Sequence, residues 1–486
     1  MLIFNLAYME DSARYFNVVR QEPWAMFLDS GQPVSQYGRF DIIVARPFAT
    51  LISEQHDGKI QTIFSKNGCS ETSYDDPFAI LNRAMQSYVV SKSEQEDNAL
   101  PFIGGAMGYF GYELGRSIED MPRIAKANAA IPAMMVGLFD WAVVVDHRLK
   151  TTKLVSRGLD QSTVGQWPLL CALFSQVFDE TSHTDKTVHA QNDSVCEFGL
   201  SSEVLSNMSY AQYEAAFNEV KALIKAGDCY QVNLAQRFSA KAYGDAWPAY
   251  QQLRAMSPAP FMAFMHLDSI QVLSGSPERF LQIQDKHVET RPIKGTRPRS
   301  LDPLEDIALA EALQSSLKDR AENVMIVDLL RNDIGKNCEI GSVKADVLFQ
   351  LQSFANVHHL VSIVTGTLAA NKTAIDLLRG AFPGGSITGA PKLRSMQIIE
   401  SLEPHQRAIY CGAIGYIDFN GNMDTNIAIR TAVYVKPTEN TAGEVSFYAG
   451  GGIVADSVLM KEYTETLDKA SSLLNTMQTF QKQSLT

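Results

Sequence analysis

Two pairs of acidic residues stand three positions apart: Asp319 and Glu322 in KDRAENVMIVDLLRND, and Glu462 and Glu465 in MKEYTETLDKA. On a helix, that spacing puts both acids of a pair on one face. Taken alone, the second pair reads as an ordinary solvated surface. The first leads into Val324, Met325, Ile326, Val327, Leu329 and Leu330, a run with almost no polar face, so its helix is expected to be buried. Acids entering a buried helix require a cation. A hard oxygen site of a few carboxylates plus water suits Mg2+, and an Arg or Lys partner meets the same need; spacing does not choose between them.

A basic group and flexible backbone accompany the acids. RPIKGTRPR sets Lys294 among Arg291, Arg297 and Arg299. Neighbouring cations and burial both lower a lysine pKa, and so make an amine a nucleophile or base; otherwise this is a basic surface loop. SGSPERF carries Glu278, a candidate acid or base in a loop after a strand. His358 and His359 precede LVSIVTG, and one of them is expected to be a satisfied core histidine. Arg430 closes DTNIAIR on an apolar strand, where a charge wants an anionic partner. FPGGSITGAPKLRSMQII feeds a glycine-rich loop into a helix, with Pro391 in the first turn and Leu393, Met396 and Ile399 at near-helical spacing. Such a junction is an anion cradle or a plain turn. The run YAGGGIVADS either presents backbone amides or allows close packing. Neither run is a Walker loop, and no GxGxxG occurs, which disfavours a nucleotide enzyme. Together these residues describe an anion site with a hard metal, a basic clamp and an activated amine.

The elements that must position them belong to a chain of 486 residues, 45% apolar and 20% charged, with formal net charge -12. That acidity opposes binding to a nucleic-acid backbone. The longest apolar stretch, Ile131 to Val145, is broken by Asp140 and is shorter than the ~20 residues a bilayer requires. MLIFNLAYMEDSARYF lacks a basic leader, and the six cysteines form no CxxC pair, so a cytoplasmic protein without a membrane anchor is expected. The N-terminal part reads as short strands, for example FDIIVARPFATLIS and GLFDWAVVVDHRLKTTKLVS. Asp179 to Asn207 is polar enough for a linker. Beyond it, Ser209 and Gln212 form a capping box for a helix ending at Gly227. CYQVNLAQRF then alternates as a strand, and another helix opens at Asp302 and Pro303, with Glu305 closing its box. The class is α/β or α+β.

In order, SGSPERF, RPIKGTRPR, AENVMIVDLLRND, VHHLVS, PGGSITGAPK, IYCGAIGY, DTNIAIR, AGGGIVADS and EYTETLDKA resemble the chorismate-utilising enzymes, from about Ser209 to the C-terminus. WAMFLDS and YGRFDIIVA are similar to the regulatory region of the members coupled to an amidotransferase. The resemblance implies an α+β sandwich of two large packed β-sheets with helices outside. It assigns a regulatory-type region to 1–178, a linker to 179–208 and a chorismate-binding region to 209–486, all within one intertwined unit. It implies Glu322 and Glu465 as direct Mg2+ ligands, with Asp319 and Glu462 behind them or bridged by water. It gives Arg430, Tyr410, Lys469, Thr388, Gly389 and the amides of Gly450, Gly451 and Gly452 to the substrate carboxylates, and His359 to the ring and enolpyruvyl side. Ser30, in FLDS, falls where related synthases form a tryptophan pocket, although Asp29 departs from the usual Glu.

Two positions separate the branches of the family. Members that form anthranilate, the nearest alternative, typically carry Ala where this chain has Lys294. Members that aminate chorismate at C4 carry that lysine, as a nucleophile at C2, with the acid matching Glu278 protonating the leaving hydroxyl. Branches that use water place a lysine where Gln231 stands. The resemblance therefore implies C4 amination to 4-amino-4-deoxychorismate, on the route to 4-aminobenzoate and folate. No GxCxG elbow is present, since Cys69 lies in NGCSE and Cys411 in IYCGA, so ammonia is expected from a separate glutamine amidotransferase subunit in a heterodimer. A catalytically dead binding subunit is disfavoured because every matched acid and base is present.

Overall fold

The computed structural model describes residues 1–31, 38–56, 58–88, 100–128, 130–179, 197–353 and 357–481. Most of the expected linker, 180–196, lies outside these, as do Cys196 and Tyr37. Two antiparallel sheets, of 13 and 12 strands, form the interior. Met26, Ile42 and Val44 of the first meet Met107, Tyr109 and Ile414 of the second in a core between them. A second core lies under the helices Ala13–Val19, Gln161–Asp179, Trp247–Met256 and Leu459–Thr479, and a third under Pro77–Gln86, Leu317–Gly335 and Ala374–Ala381. The result is a helix–sheet–sheet–helix sandwich, as the resemblance implied.

Both ends of the chain build both sheets. Ala25–Asp29 pairs with Phe261–His266 in the first, and Gly105–Phe110 with Ala413–Asp418 in the second. The apolar stretch after Ile131 becomes the strands Met134–Phe139 and Trp141–Asp146, buried at every position. A strand covered on both faces reads as a continuous apolar run rather than an alternation. Among the described residues no helix is long and apolar enough to cross a membrane.

Local signals hold in part, and Pro391 is the N-cap of the helix Lys392–Leu402 rather than a residue of its first turn. Ser209 and Gln212 form the reciprocal capping box of Tyr210–Ala226, which ends at Gly227 with φ 84°. Asp302 caps Pro303–Ser315, but Glu305 does not close the box: Ser300 Oγ donates to Glu305 at 2.6 Å and itself accepts the Asp302 amide at 3.1 Å. The expected burial of Leu317–Gly335 is also only half right. Ile326 and Leu330 are buried, whereas Val324 is 43% exposed, because this helix lies in an outer layer, over the strands Ile293–Pro298 and Val357–Thr367.

Candidate active site

The strand Gln231–Tyr243 forms one wall. It pairs with Gly389–Ala390 on one side and with Glu444–Ile453 on the other, so Val232 faces Gly389, and Asn233, Leu234 and Ala235 face Gly452, Gly451 and Gly450. A Cβ at Gly389 would fall 2.1 Å from the Gln231 carbonyl oxygen, so this approach requires glycine. Gln231 is buried, its Nε2 3.3 Å from Asn233 Oδ1, and its Oε1 has no hydrogen-bond partner among the described residues.

The turn Gly385–Ile387 spans from this wall to the second sheet. Thr388 Oγ1 donates to the Gly384 and Gly385 carbonyls at 3.1 and 3.3 Å, and Asn233 Nδ2 donates to the Ser386 carbonyl at 3.2 Å. Lys294, at an irregularity of the strand Ile293–Pro298, donates to that same carbonyl at 3.2 Å. Ser386 Oγ donates to Glu278 Oε1 at 3.3 Å. Ser386 thus joins the amine to the acid; the sequence reading assigned it no role, although it lay inside the quoted glycine motif.

The environment pulls these two groups toward each other. Burial raises the Glu278 carboxyl above the ordinary range despite the Lys294 cation and the Ser386 hydroxyl. Burial lowers Lys294, helped by the charge of Lys469 and opposed by Glu278, Glu322 and Glu465. The two shifts move Lys294 toward the neutral amine and Glu278 toward the protonated carboxyl.

His359 faces Thr296, whose hydroxyl lies 2.9 Å from its Nδ1. Burial, with help from Arg430 and His358, lowers it to about 4, so the ring is neutral. His358 is the satisfied core histidine, with Ser353 on one nitrogen at 2.8 Å and Asp306 on the other at 3.0 Å. Arg430 is not on the apolar strand. It lies between Met423–Ile427 of one sheet and Thr431–Val435 of the other, in the left-handed region at φ 52°. Burial lowers its guanidinium pKa, against the pull of Tyr410 and Glu465. Its carbonyl accepts the Gly275 amide at 2.9 Å, while its guanidinium makes no hydrogen bond or ion pair among the described residues. Tyr410 stacks on Tyr448 with centroids 5.3 Å apart.

The acidic pairs converge from two helices. Asp319 and Glu322 lie on Leu317–Gly335, and Glu462 and Glu465 on Leu459–Thr479, which packs on Glu444–Ile453. A Cβ at Gly451 would lie 3.3 Å from Glu462 Oε2 and 3.6 Å from Glu465 Oε1. Burial raises Glu322, and the charges of Asp319 and Glu462 add to this against Lys294 and Lys318. Glu462 is raised by burial as well, against a hydrogen bond from Ser457 at 2.6 Å. Asp319 is taken by Arg297 at 2.9 Å, and Glu465 by Lys469 at 2.6 Å; Lys469 also donates to the Gly450 carbonyl at 3.0 Å. Among the described residues no three acidic, histidine or cysteine side chains are gathered closely enough to hold a metal ion as they stand. Partly desolvated carboxylate oxygens from two facing helices are nevertheless the hard donors that Mg2+ takes.

The family model for chorismate binding enzymes matches residues 30–475. The chain belongs to this family. Aminodeoxychorismate synthase component 1 of Escherichia coli K12 is 45% identical over 98% of both chains. Anthranilate synthase component 1 of Geobacillus stearothermophilus is 35% identical, over 96% of this chain and 92% of its own. Among solved structures, anthranilate synthase component I of Streptococcus pneumoniae TIGR4 is similar at TM-score 0.74 and 31% identity, over 90% of this chain and 93% of that one.

A chorismate-binding chain has a second concavity to account for. A cavity of about 440 Å³ opens between the sheets, lined by Leu28, Asp29, Phe40, Met262, Tyr416 and Asn426 among others. Ser30 is not part of that lining. Its hydroxyl and amide both donate to Asp41 at 2.7 Å, in a buried network with Ser12 and His147.

Proposed function

We propose that this chain aminates chorismate at C4, giving 4-amino-4-deoxychorismate for 4-aminobenzoate and folate synthesis. The observation that carries this reading is Lys294, its pKa lowered by burial and its Nζ sharing Ser386 with the acid Glu278. The 45% identity to a chain named aminodeoxychorismate synthase component 1 supports it.

Chorismate is a dianion. The Arg430 guanidinium, unpaired among the described residues, the Tyr410 hydroxyl and the amides at Gly389 and Gly450–Gly452 are the groups that would meet its carboxylates. Neutral His359 lies beside Arg430, toward the ring and enolpyruvyl side. Glu322 and Glu465 would hold Mg2+, with Asp319 and Glu462 supporting them; the bound ion would supply positive charge to a substrate carboxylate.

The Lys294 amine forms a bond to C2 as the ring double bonds shift and the C4–O bond breaks. The protonated Glu278 gives its proton to the departing hydroxyl, which leaves as water. Ammonia then bonds to C4, the double bonds shift back, and the C2–N bond breaks to return the free amine of Lys294. Glu278 recovers its proton from the new ammonium group, so one ammonia enters and one water leaves. Gln231 cannot accept a proton and activates no water, so hydroxylation does not compete. Ammonia comes from a separate glutamine amidotransferase subunit. Lys294→Ala tests the reading: ammonia-dependent amination should collapse while the circular dichroism spectrum stays unchanged. Wild-type rates in that variant would remove the nucleophile.

A further inference from the structure

Arg407 has no chemical role in the scheme above, yet it is 2% exposed. Its Nε donates to Glu403 Oε2 at 2.9 Å and its Nη2 to Glu403 Oε1 at 2.6 Å. The remaining donors reach outside this pair. Nη2 also donates to the Asn233 carbonyl at 2.9 Å, and Nη1 to the Ile387 carbonyl at 3.1 Å. Glu403 Oε1 additionally accepts the Ala235 amide at 2.9 Å. The guanidinium carbon lies 5.5 Å from the centroid of the Tyr410 ring and 5.1 Å from that of Tyr112. Its own backbone is anchored, because the Arg407 amide donates to Glu113 Oε1 at 3.1 Å, and Glu113 is held by Arg116 at 2.6 Å.

One planar fork therefore touches three separate parts of the candidate pocket. These are the strand after Gln231, the carbonyl preceding Thr388 and the face of Tyr410. We propose that Arg407, oriented by Glu403, is a positioning residue that sets the spacing of these three parts and hence the fit of the substrate carboxylates. This rests on the chorismate reading of the pocket. Arginine suits the task because its donors diverge in a fixed plane, whereas a lysine ammonium cannot span a carboxylate and two carbonyls while lying over two rings.

The test uses the full chain carrying Arg407→Lys, which keeps the charge beside Glu403. Its unfolding transition should stay cooperative, and hydrogen exchange should accelerate in peptides covering 231–235 and 384–389. Its kcat/KM for chorismate should fall on the order of a hundredfold, the scale of an ångström-sized misplacement. Wild-type exchange in those peptides together with wild-type kcat/KM would overturn the proposal. Should that variant fail to fold, Arg407→Met combined with Glu403→Leu removes both charges and leaves no unpaired buried ion. The double variant should recover stability without recovering kcat/KM; recovery of both would make Arg407 purely structural and also overturn the proposal. Wild-type protein that leaves chorismate unchanged would defeat the substrate reading instead, and the exchange measurement would still decide the positioning role.

Discussion

Arg430→Met should separate binding from stability. In the free protein the guanidinium is largely withdrawn from water and makes no ion pair among the described residues, so its removal breaks no internal bridge. Burial of an uncompensated charge opposes folding, and a methionine of similar reach relieves that cost. The unfolding midpoint should therefore stay level or rise. With substrate bound, the same guanidinium meets a carboxylate, and truncating one partner of a desolvated charge pair costs about 2–5 kcal/mol. Because Arg430 is not fully buried, the lower part of that range, about 2–4 kcal/mol, applies. This corresponds to a loss of roughly 30- to 900-fold in kcat/KM for chorismate. Arg430→Lys, which keeps the charge but not the bidentate geometry, should fall between. The assay is ammonia-dependent turnover of chorismate beside a urea titration of each variant. A variant with wild-type kcat/KM and a lowered midpoint would refute the reasoning, since Arg430 would then be holding the fold rather than the substrate.

Chelation should abolish turnover, and Glu465→Gln should raise the Mg2+ concentration for half-maximal rate by about tenfold or more; an unchanged Mg2+ titration would remove Glu465 from the metal site. Gly389→Ala places a methyl group 2.1 Å from the Gln231 carbonyl oxygen at φ 142°, so it should destabilise by more than ~1 kcal/mol and reduce chorismate turnover. A neutral outcome in both would mean that the strand pairing there is looser than described. His147, buried against Asp41, has its pKa raised: burial opposes the charge, but the hydrogen bond and charge of Asp41 outweigh it. The stability it contributes is complete below the ordinary histidine value of 6.5 and is lost as pH rises through the raised folded value. Wild type should lose more stability than His147→Gln as pH rises from below 6.5 through the raised folded value, as read from urea midpoints; parallel pH curves would contradict the linkage.

The chemistry was more legible than the architecture. The i,i+3 acids, the lysine among arginines and the glycine runs are local patterns. The helices and turns expected from them bring Asp319, Glu322, Glu462 and Glu465 to one space. The interleaving of both ends of the chain in each sheet was not readable from spacing, because pairings such as Met262 with Asp29 join residues far apart in sequence. Arg430 looked like a strand residue because Ile427, Ala428 and Ile429 precede it; tertiary structure turns the chain there to pass between sheets. Glu403 and Arg407 look like an exposed i,i+4 pair, and nothing local shows that Tyr112 and Tyr410 enclose them. Nothing in the segment FLDS shows that Ser30 joins a buried network through Asp41.

The most direct test of the central claim is product identity. Purified chain would be incubated with chorismate, Mg2+ and an ammonium salt at mildly alkaline pH, and the product identified by mass spectrometry. A species in which an amino group replaces the C4 hydroxyl, with the enolpyruvyl group retained, is the predicted result. Anthranilate with released pyruvate would contradict it, and Lys294 would then have a role other than nucleophile.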